Sequence, residues 1–234
     1  MGNERDLRHR GAGARAAPRE GAAVVVVDAF RASTTIAVLV SRGALVVPLA
    51  SIEEAATYPG ADYRIGERGG AKVQGFDFGN SPTEIGAAGL KRGATVVLST
   101  TNGTRVVEAA RSAPAILAGA FVNAHAVADA LAADANGARF AVIGCGWKGR
   151  RASEDESAAG AILHLLREKG AELDERAERA VELYLTRPEE TLRRNSAARR
   201  LKRLGYEKDL DFCLAENTVP VVPRFKGDAF AGQG

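Results

Sequence analysis

The sequence predicts an α/β fold, a three-layer α/β/α sandwich around a mostly parallel or mixed sheet. Two observations predict it. Short runs rich in valine, isoleucine and leucine alternate with stretches of helical length along most of the chain, and strands separated in this way pair in parallel through right-handed crossovers. Several junctions from apolar run to helix also carry small polar residues, as the ligand-binding edge of an open sheet does.

Taken in order, 23–30 reads as a strand, with a helix following to about Arg42. The run ALVVPLA at 44–50 is a second strand, and Pro48 marks it as irregular or near an edge. Ser51 opens a helix with acids in its first turn, and 63–67 is a short strand. The Gly-rich segment 66–79 is expected to stay out of the core. Ser81-Pro82-Thr83-Glu84 then places a serine cap, a proline and a glutamate where a helix start favours them. Strands at 94–99, 115–121 and 138–144 are followed by helices at 104–111, 123–135 and 154–169. After Glu172 the chain turns mainly helical until 219–222. With no clear linker, 21–234 reads as one domain, preceded by a charged, Gly/Ala-rich extension at 1–20 that is expected to be mobile.

Composition narrows the function. Of the 234 residues, 46% are hydrophobic and 26% charged, ordinary for a soluble globular chain. No apolar run approaches the roughly 20 residues of a membrane span, and the first twenty residues lack the apolar core of a secretory signal. Cys145 and Cys213 are the only cysteines, so no disulfide framework is expected and a reducing cytoplasm is the expected compartment. The formal net charge is +3. Much of the positive charge lies in 187–208, expected to be a helix with a solvated basic face. No nucleic-acid-binding motif accompanies it. A homo-oligomer is compatible with the sequence.

Four strand-to-helix connections carry the candidate chemistry. In AVVVVDAFRASTT (23–35), Asp28 is placed to hold a metal and Arg31 to clamp an anion, beside Ser33, Thr34 and Thr35 at a helix start. In STTNGT (99–104), Thr100, Thr101, Asn102 and Thr104 offer neutral donors, and Gly103 lets the backbone approach an anion; a capped surface loop has the same composition. The third connection is Phe121-Val122-Asn123. The fourth, CGWKGRRASED (145–155), ends in Glu154 and Asp155, at a stock helix start. Parallel strands would open all four at one edge. Hard oxygen ligands from separate loops are how Mg²⁺ is usually held beside a phosphate. The segment 65–84 adds Glu67, Arg68, Lys72, Asp77, Asn80 and Ser81 among glycines, the composition of a lid over a charged ligand. A different chemistry is open at Cys145 and Arg151, whose spacing fits a thiolate phosphatase loop. The flanking residues fit such a loop poorly.

Together these segments resemble the 2-phosphosulfolactate phosphatase family. The matching pieces are DAFRASTT at 28–35, GERGG and GFDFGNSPTE within 66–84, STTNGT at 99–104, AFVN at 120–123 and CGWKGRRASEDESAAGA at 145–161, with PVVP at 220–223 a less specific match. The resemblance implies a Mg²⁺-dependent phosphatase that converts 2-phospho-3-sulfolactate to 3-sulfolactate, on the route to coenzyme M. By position it implies that Asp28, Arg31, Glu67, Arg68, Asn80, Thr101, Asn102, Asn123, Glu154 and Asp155 fall in family motifs. From these the expected assignment is Asp28, Arg31, Glu67 and Arg68 as catalytic. Asp28, Glu154 and Asp155 are expected at the metal. Ser33, Thr34, Asn80, Ser81, Thr100, Thr101, Asn102, Gly103, Thr104 and Asn123 are expected around a small phosphorylated organic acid. A phosphoenzyme on Asp28 and direct attack by water both fit; the second acid two residues on, which many aspartyl-phosphate enzymes carry, is absent and favours water. A non-catalytic phospholigand-binding protein would need the anion loops but not the carboxylates at 28, 67, 77, 154 and 155.

Overall fold

Alternation along each strand explains the layers. In β1 (Ala23–Val27), Val24 and Val26 face one core while Val25 and Val27 face another, because successive side chains of a strand point to opposite faces. The computed structural model describes residues 14–17, 21–134 and 139–232. Residues 14–17 form a helical turn in which Ala14 and Ala17 are buried; the rest of the expected extension lies outside the described residues.

The remaining strands are β2 (Leu45–Leu49), β3 (Tyr63–Arg68), β4 (Ala71–Lys72), β5 (Thr95–Ser99), β6 (Ile116–Gly119), β7 (Phe140–Gly144), β8 (Arg224–Lys226) and β9 (Ala229–Ala231). They form a nine-stranded mixed sheet in the order β4-β3-β5-β2-β9-β8-β6-β1-β7. The helices are α1 (Ala32–Ser41), α2 (Ile52–Thr57), α3 (Pro82–Ala87), α4 (Gly103–Ala109), α5 (Ala124–Asp134), α6 (Ser153–Glu168), α7 (Glu175–Thr186), α8 (Glu189–Arg193), α9 (Ser196–Arg203) and α10 (Glu207–Leu214).

Helix α1 is buried from Ala32 through Val40, the hydroxyl residues Ser33, Thr34 and Thr35 of its first turn included. It packs with Val24 and Val26 of β1, Val46 of β2, Ile65 of β3, and Val96 and Leu98 of β5. Behind β1, α5 and α6 cover Val25 and Val27. Behind β2 and β5, Ala55 of α2 covers Val47 and Val97. This is the expected sandwich of three layers.

The sheet holds one departure from expectation. Strands β6, β1 and β7 are mutually parallel, as are β3, β5 and β2. Between the two sets lies the β8–β9 hairpin, antiparallel within itself and to each neighbour. Three antiparallel steps in succession leave the two sets running in opposite senses. The four polar connections therefore do not share one edge of a parallel sheet. The carboxyl ends of both sets still meet: Val26, Ala118, Pro48 and Leu98 line one small cavity of about 10 Å³ with Phe230. Pro48 is tolerated in an interior strand because β9 pairs with β2 only at Val46↔Phe230, so the ladder on that side has ended two residues before it.

The segment after β3 is also better folded than its glycines suggest. Ala71 and Lys72 pair back onto Arg68 and Glu67. Phe76 is buried against Val97, and Gly66 makes room for it, since a Cβ there would lie 2.7 Å from the Phe76 ring. The segment thus contributes to the core. The basic stretch 187–208 is broken into α8, α9 and the start of α10 rather than forming one helix.

Candidate active site

Asp28 ends β1, and its side chain starts α1: Oδ1 accepts the Ala32 N–H at 3.3 Å. The Ser33 hydroxyl accepts the Asp28 N–H at 2.9 Å and donates to the Val26 carbonyl at 3.0 Å. The Thr34 hydroxyl donates to the Ala29 carbonyl. Both hydroxyls are therefore spent on the strand-to-helix turn. Asp28 Oδ2 lies 3.4 Å from the point where a Cβ on Gly103 would sit, and Thr100 Oγ1 lies 3.6 Å from that point. The start of α4 thus faces Asp28 across a position that only a glycine leaves open.

Around this point Asp28, Glu67, Glu154 and Asp155 line one small cavity of about 30 Å³, with Arg31, Asn80, Asn102, Trp147 and Arg200. Two of the acids brace loops. Glu67 accepts the Gly70 N–H (2.7 Å) and the Thr101 N–H (2.8 Å), one on each oxygen, so it ties the turn after β3 to the loop after β5. Asp155 accepts the Ala29 N–H (2.9 Å) and the Gly146 N–H (2.7 Å), tying the start of α6 to the end of β1. Glu154 takes a hydrogen bond from the Asn195 amide at 2.7 Å.

Burial is the main perturbation at Asp28, Glu154 and Asp155. Burial pushes the Asp28 carboxyl up to about 6; the Ala32 N–H opposes the shift, and the charges of Glu67 and Glu154 add to it. Burial also raises Glu154. Asp155 goes well above the usual range, through burial and then through repulsion from Asp28 and Glu154.

Arg31 is almost fully buried. It donates to Asp209 at 2.6 Å and to the Gly70 carbonyl at 2.9 Å, and its guanidinium carbon lies 4.3 Å from the centre of the Tyr206 ring. Asp209 is itself held by the Ser81 hydroxyl at 2.8 Å and by Thr83. Ser81, which also caps α3, therefore acts behind Arg31. The cavity and its supports hold five carboxylates (residues 28, 67, 154, 155 and 209) against two guanidiniums (residues 31 and 200).

The whole chain can now be set beside known proteins. A family model described as 2-phosphosulpholactate phosphatase matches residues 13–228. The chain is 43% identical over 211 residues to a probable 2-phosphosulfolactate phosphatase of Carboxydothermus hydrogenoformans, covering 87% of this chain and 86% of that one. It is 40% identical to a protein of that description in Gloeobacter violaceus (86% of each chain) and 38% identical to one in Thermotoga petrophila (91% and 93%). The chain belongs to the 2-phosphosulfolactate phosphatase family.

Not every residue in the family motifs reaches the cavity. Arg68 donates to the Glu67, Ser99 and Ala50 carbonyls and to the Ser99 hydroxyl, so it staples β3 to β5. Asn123 is fully buried; its amide donates to the Ala118 and Val221 carbonyls and accepts the Ala120 N–H, an arrangement internal to the fold. Thr104 donates to the Thr100 carbonyl. Asp77 accepts the Arg64 N–H, and Lys72 donates to the Asp77 carbonyl. By contrast Asn80 Oδ1, Thr100 Oγ1 and Thr101 Oγ1 are buried without a hydrogen-bond partner.

The Cys145–Arg151 pairing does not form. Arg151 is largely exposed and ion-paired with Glu156. Cys145 is buried, its N–H bonded to the Val27 carbonyl, and it is not among the cavity-lining residues.

The site also uses residues that motif spacing passes over: Trp147, Asn195, Arg200, Tyr206 and Asp209. Arg200 could have been found from helical phase. Ala197, three positions before it, is buried, so Arg200 falls at the edge of the inward stripe of an otherwise basic helix.

Proposed function

We propose that this chain hydrolyses the phosphate ester of a small 2-hydroxy acid, 2-phospho-3-sulfolactate, to 3-sulfolactate and phosphate, with Mg²⁺ as its cofactor. The observation that carries the reading is the carboxylate excess around a cavity that also holds Arg31, Asn80 and Arg200. A polyanionic substrate enters such a cavity only with a cation to offset the acids. Among the described residues no three His, Cys, Asp or Glu side chains close on one point as a metal cage. The expected set of Asp28, Glu154 and Asp155 therefore does not close as a three-acid cage; Mg²⁺ is usually held by one or two carboxylates, with water and substrate phosphate completing its shell. The all-oxygen donor set fits the ion. Asp28 and Glu154 would hold it, with Asp155 and Glu67 fixing the loops around them. Bound Mg²⁺ would neutralise charge on the phosphoryl oxygens.

Arg31, locked by Asp209, Gly70 and Tyr206, would meet those same oxygens, and the unpartnered Asn80 Oδ1 would accept from a hydroxyl or water in the cavity. We assign the attack on phosphorus to water rather than to Asp28. The water's oxygen bonds to phosphorus as the ester P–O bond breaks, one of its protons passes to the departing alkoxide and the other stays on the phosphate. Phe30 stands where aspartyl-phosphate enzymes carry a second acid, which supports this choice. On this reading the chain works in the cytoplasm, on a route to coenzyme M. No helix among the described residues is long and apolar enough to cross a membrane.

The test is phosphate release from 2-phospho-3-sulfolactate and 2-phospholactate, with Mg²⁺ and after EDTA. Turnover that EDTA abolishes and Mg²⁺ restores is expected. Binding without turnover would make the chain a phospholigand-binding protein, and EDTA-resistant turnover would remove the metal from the reading.

A further inference from the structure

Arg200 reaches the cavity from α9. Its guanidinium carbon stacks 3.8 Å from the centre of the Trp147 ring. Trp147 is held in turn by a tight loop, its N–H bonded to the Arg150 carbonyl (3.0 Å) and the Arg150 N–H to its own carbonyl (2.8 Å). Gly70 makes room on the other side: a Cβ there would sit 3.5 Å from Arg200 Nε and 3.0 Å from Leu204. At Gly70 φ is +91°, a conformation that glycine adopts at little cost. Arg200 Nε is nevertheless buried with no hydrogen-bond partner.

A guanidinium oriented by stacking, drawn toward Glu67 and Glu154 and left with an unpaired N–H, is prepared for an anionic oxygen. The planar fork of arginine suits a carboxylate or sulfonate in two-point contact. Arg31, three residues after Asp28 in the chain, lines the same cavity. Two arginines lining one small cavity, one locked by Asp209 and one with its Nε unpartnered, match a ligand with two anionic groups.

Building on the phosphatase reading, we infer that Arg200 is a specificity-determining residue: it binds the acid group of the substrate while Arg31 meets the phosphoryl group.

The experiment compares kcat/KM for 2-phospho-3-sulfolactate, 2-phospholactate and ethyl phosphate, the last lacking any second acid, in wild type, Arg200→Gln and Arg200→Lys. Wild type is expected to prefer the two acids strongly. Arg200→Gln loses about 10- to 100-fold of that preference, the worth of one hydrogen bond to a charged group, mainly through KM. Arg200→Lys, which keeps the charge but not the fork, falls between. Trp147 is the sole tryptophan of the chain, so its fluorescence follows binding of the product 3-sulfolactate without turnover, and Arg200→Gln should weaken that binding about 10-fold or more. A preference ratio and product affinity unchanged in a folded Arg200→Gln, or in Arg200→Lys if the first variant does not fold, would overturn the inference and leave the phosphatase standing. No turnover of any of the three esters by wild type would remove both.

Discussion

Replacing Asp28 with asparagine separates the chemistry of this residue from its cost to the fold. The Asp28 carboxyl moves from 3.8 to about 6, burial being the main cause. A carboxyl that holds its proton more tightly folded than unfolded lowers stability once that proton is lost. Below about pH 4 both states are protonated and the shift has no effect. Between about pH 4 and 6 only the unfolded chain ionises, so stability falls as pH rises, and above about 6 the penalty is complete. The shift corresponds to about 3 kcal/mol; Asp28 is only half-buried, and water screening leaves about 1–3 kcal/mol. Asparagine keeps the shape and an acceptor for the Ala32 N–H but carries no charge. Metal-free Asp28→Asn should therefore melt above metal-free wild type at pH 7.5, by about 3–10 °C for a chain of this size. The gain should shrink to about a third at pH 4.5, while phosphate release at pH 7.5 falls by at least about 100-fold. Thermal melts in EDTA at the two pH values, with a phosphate-release assay, read all three effects. A lower melting temperature at pH 7.5, or an equal gain at both pH values, would refute the argument that buried charge at Asp28 is a cost of function.

The same charge balance predicts that Mg²⁺ at about 100 times its dissociation constant stabilises the wild type by about 2.7 kcal/mol at pH 7.5, and Asp28→Asn by much less, as a thermal-shift titration will show. Cys145→Ser should keep phosphate release within a few-fold of wild type, since Cys145 is outside the cavity lining and Arg151 is engaged by Glu156; complete loss in a folded variant would restore the thiolate chemistry. Gly103→Ala should fold normally, because its nearest neighbours, Ala32 and Asp28 Oδ2, stand at an ordinary 3.4 Å. Its methyl group enters the space between α4 and Asp28, so kcat/KM should fall about 10-fold or more with little change in melting temperature.

The parts of the fold that local physics decides were legible before the structure. Ser81 caps α3 by accepting the Glu84 N–H, and the acids of Ser153-Glu154-Asp155-Glu156 sit in the first turn of α6. The C-terminal hairpin was not legible as part of the sheet. Its strands span three residues each, too short for periodicity, although Gly227-Asp228 between Phe225 and Phe230 is a two-residue turn signal. That omission carried the larger error about strand direction, because the hairpin alone reverses one half of the sheet. Within the site, acids at strand ends announced themselves by position. The residues that orient Arg31 did not: Asp209 lies 178 residues from it in sequence, and no spacing rule connects two such distant positions.

This division has a physical basis that bears on how the site works. The β-strands deliver charge of one sign: Asp28 and Glu67 arrive at strand ends, and Glu154 and Asp155 follow β7 by a short loop. Left alone, those carboxylates would protonate or repel one another apart. The helical C-terminal third supplies the answer from outside the sheet. Asn195 steadies Glu154, Arg200 sets a positive charge near Glu154 and Glu67, and Tyr206 with Asp209 fixes the Arg31 guanidinium. Arg31 also bonds the Gly70 carbonyl while Arg200 packs beside Gly70, so the turn after β3 meets both arginines. A change in α9 or α10 that left every strand-end acid in place would therefore still disturb the site, through the two cations that make its acids tolerable and its anionic ligand welcome.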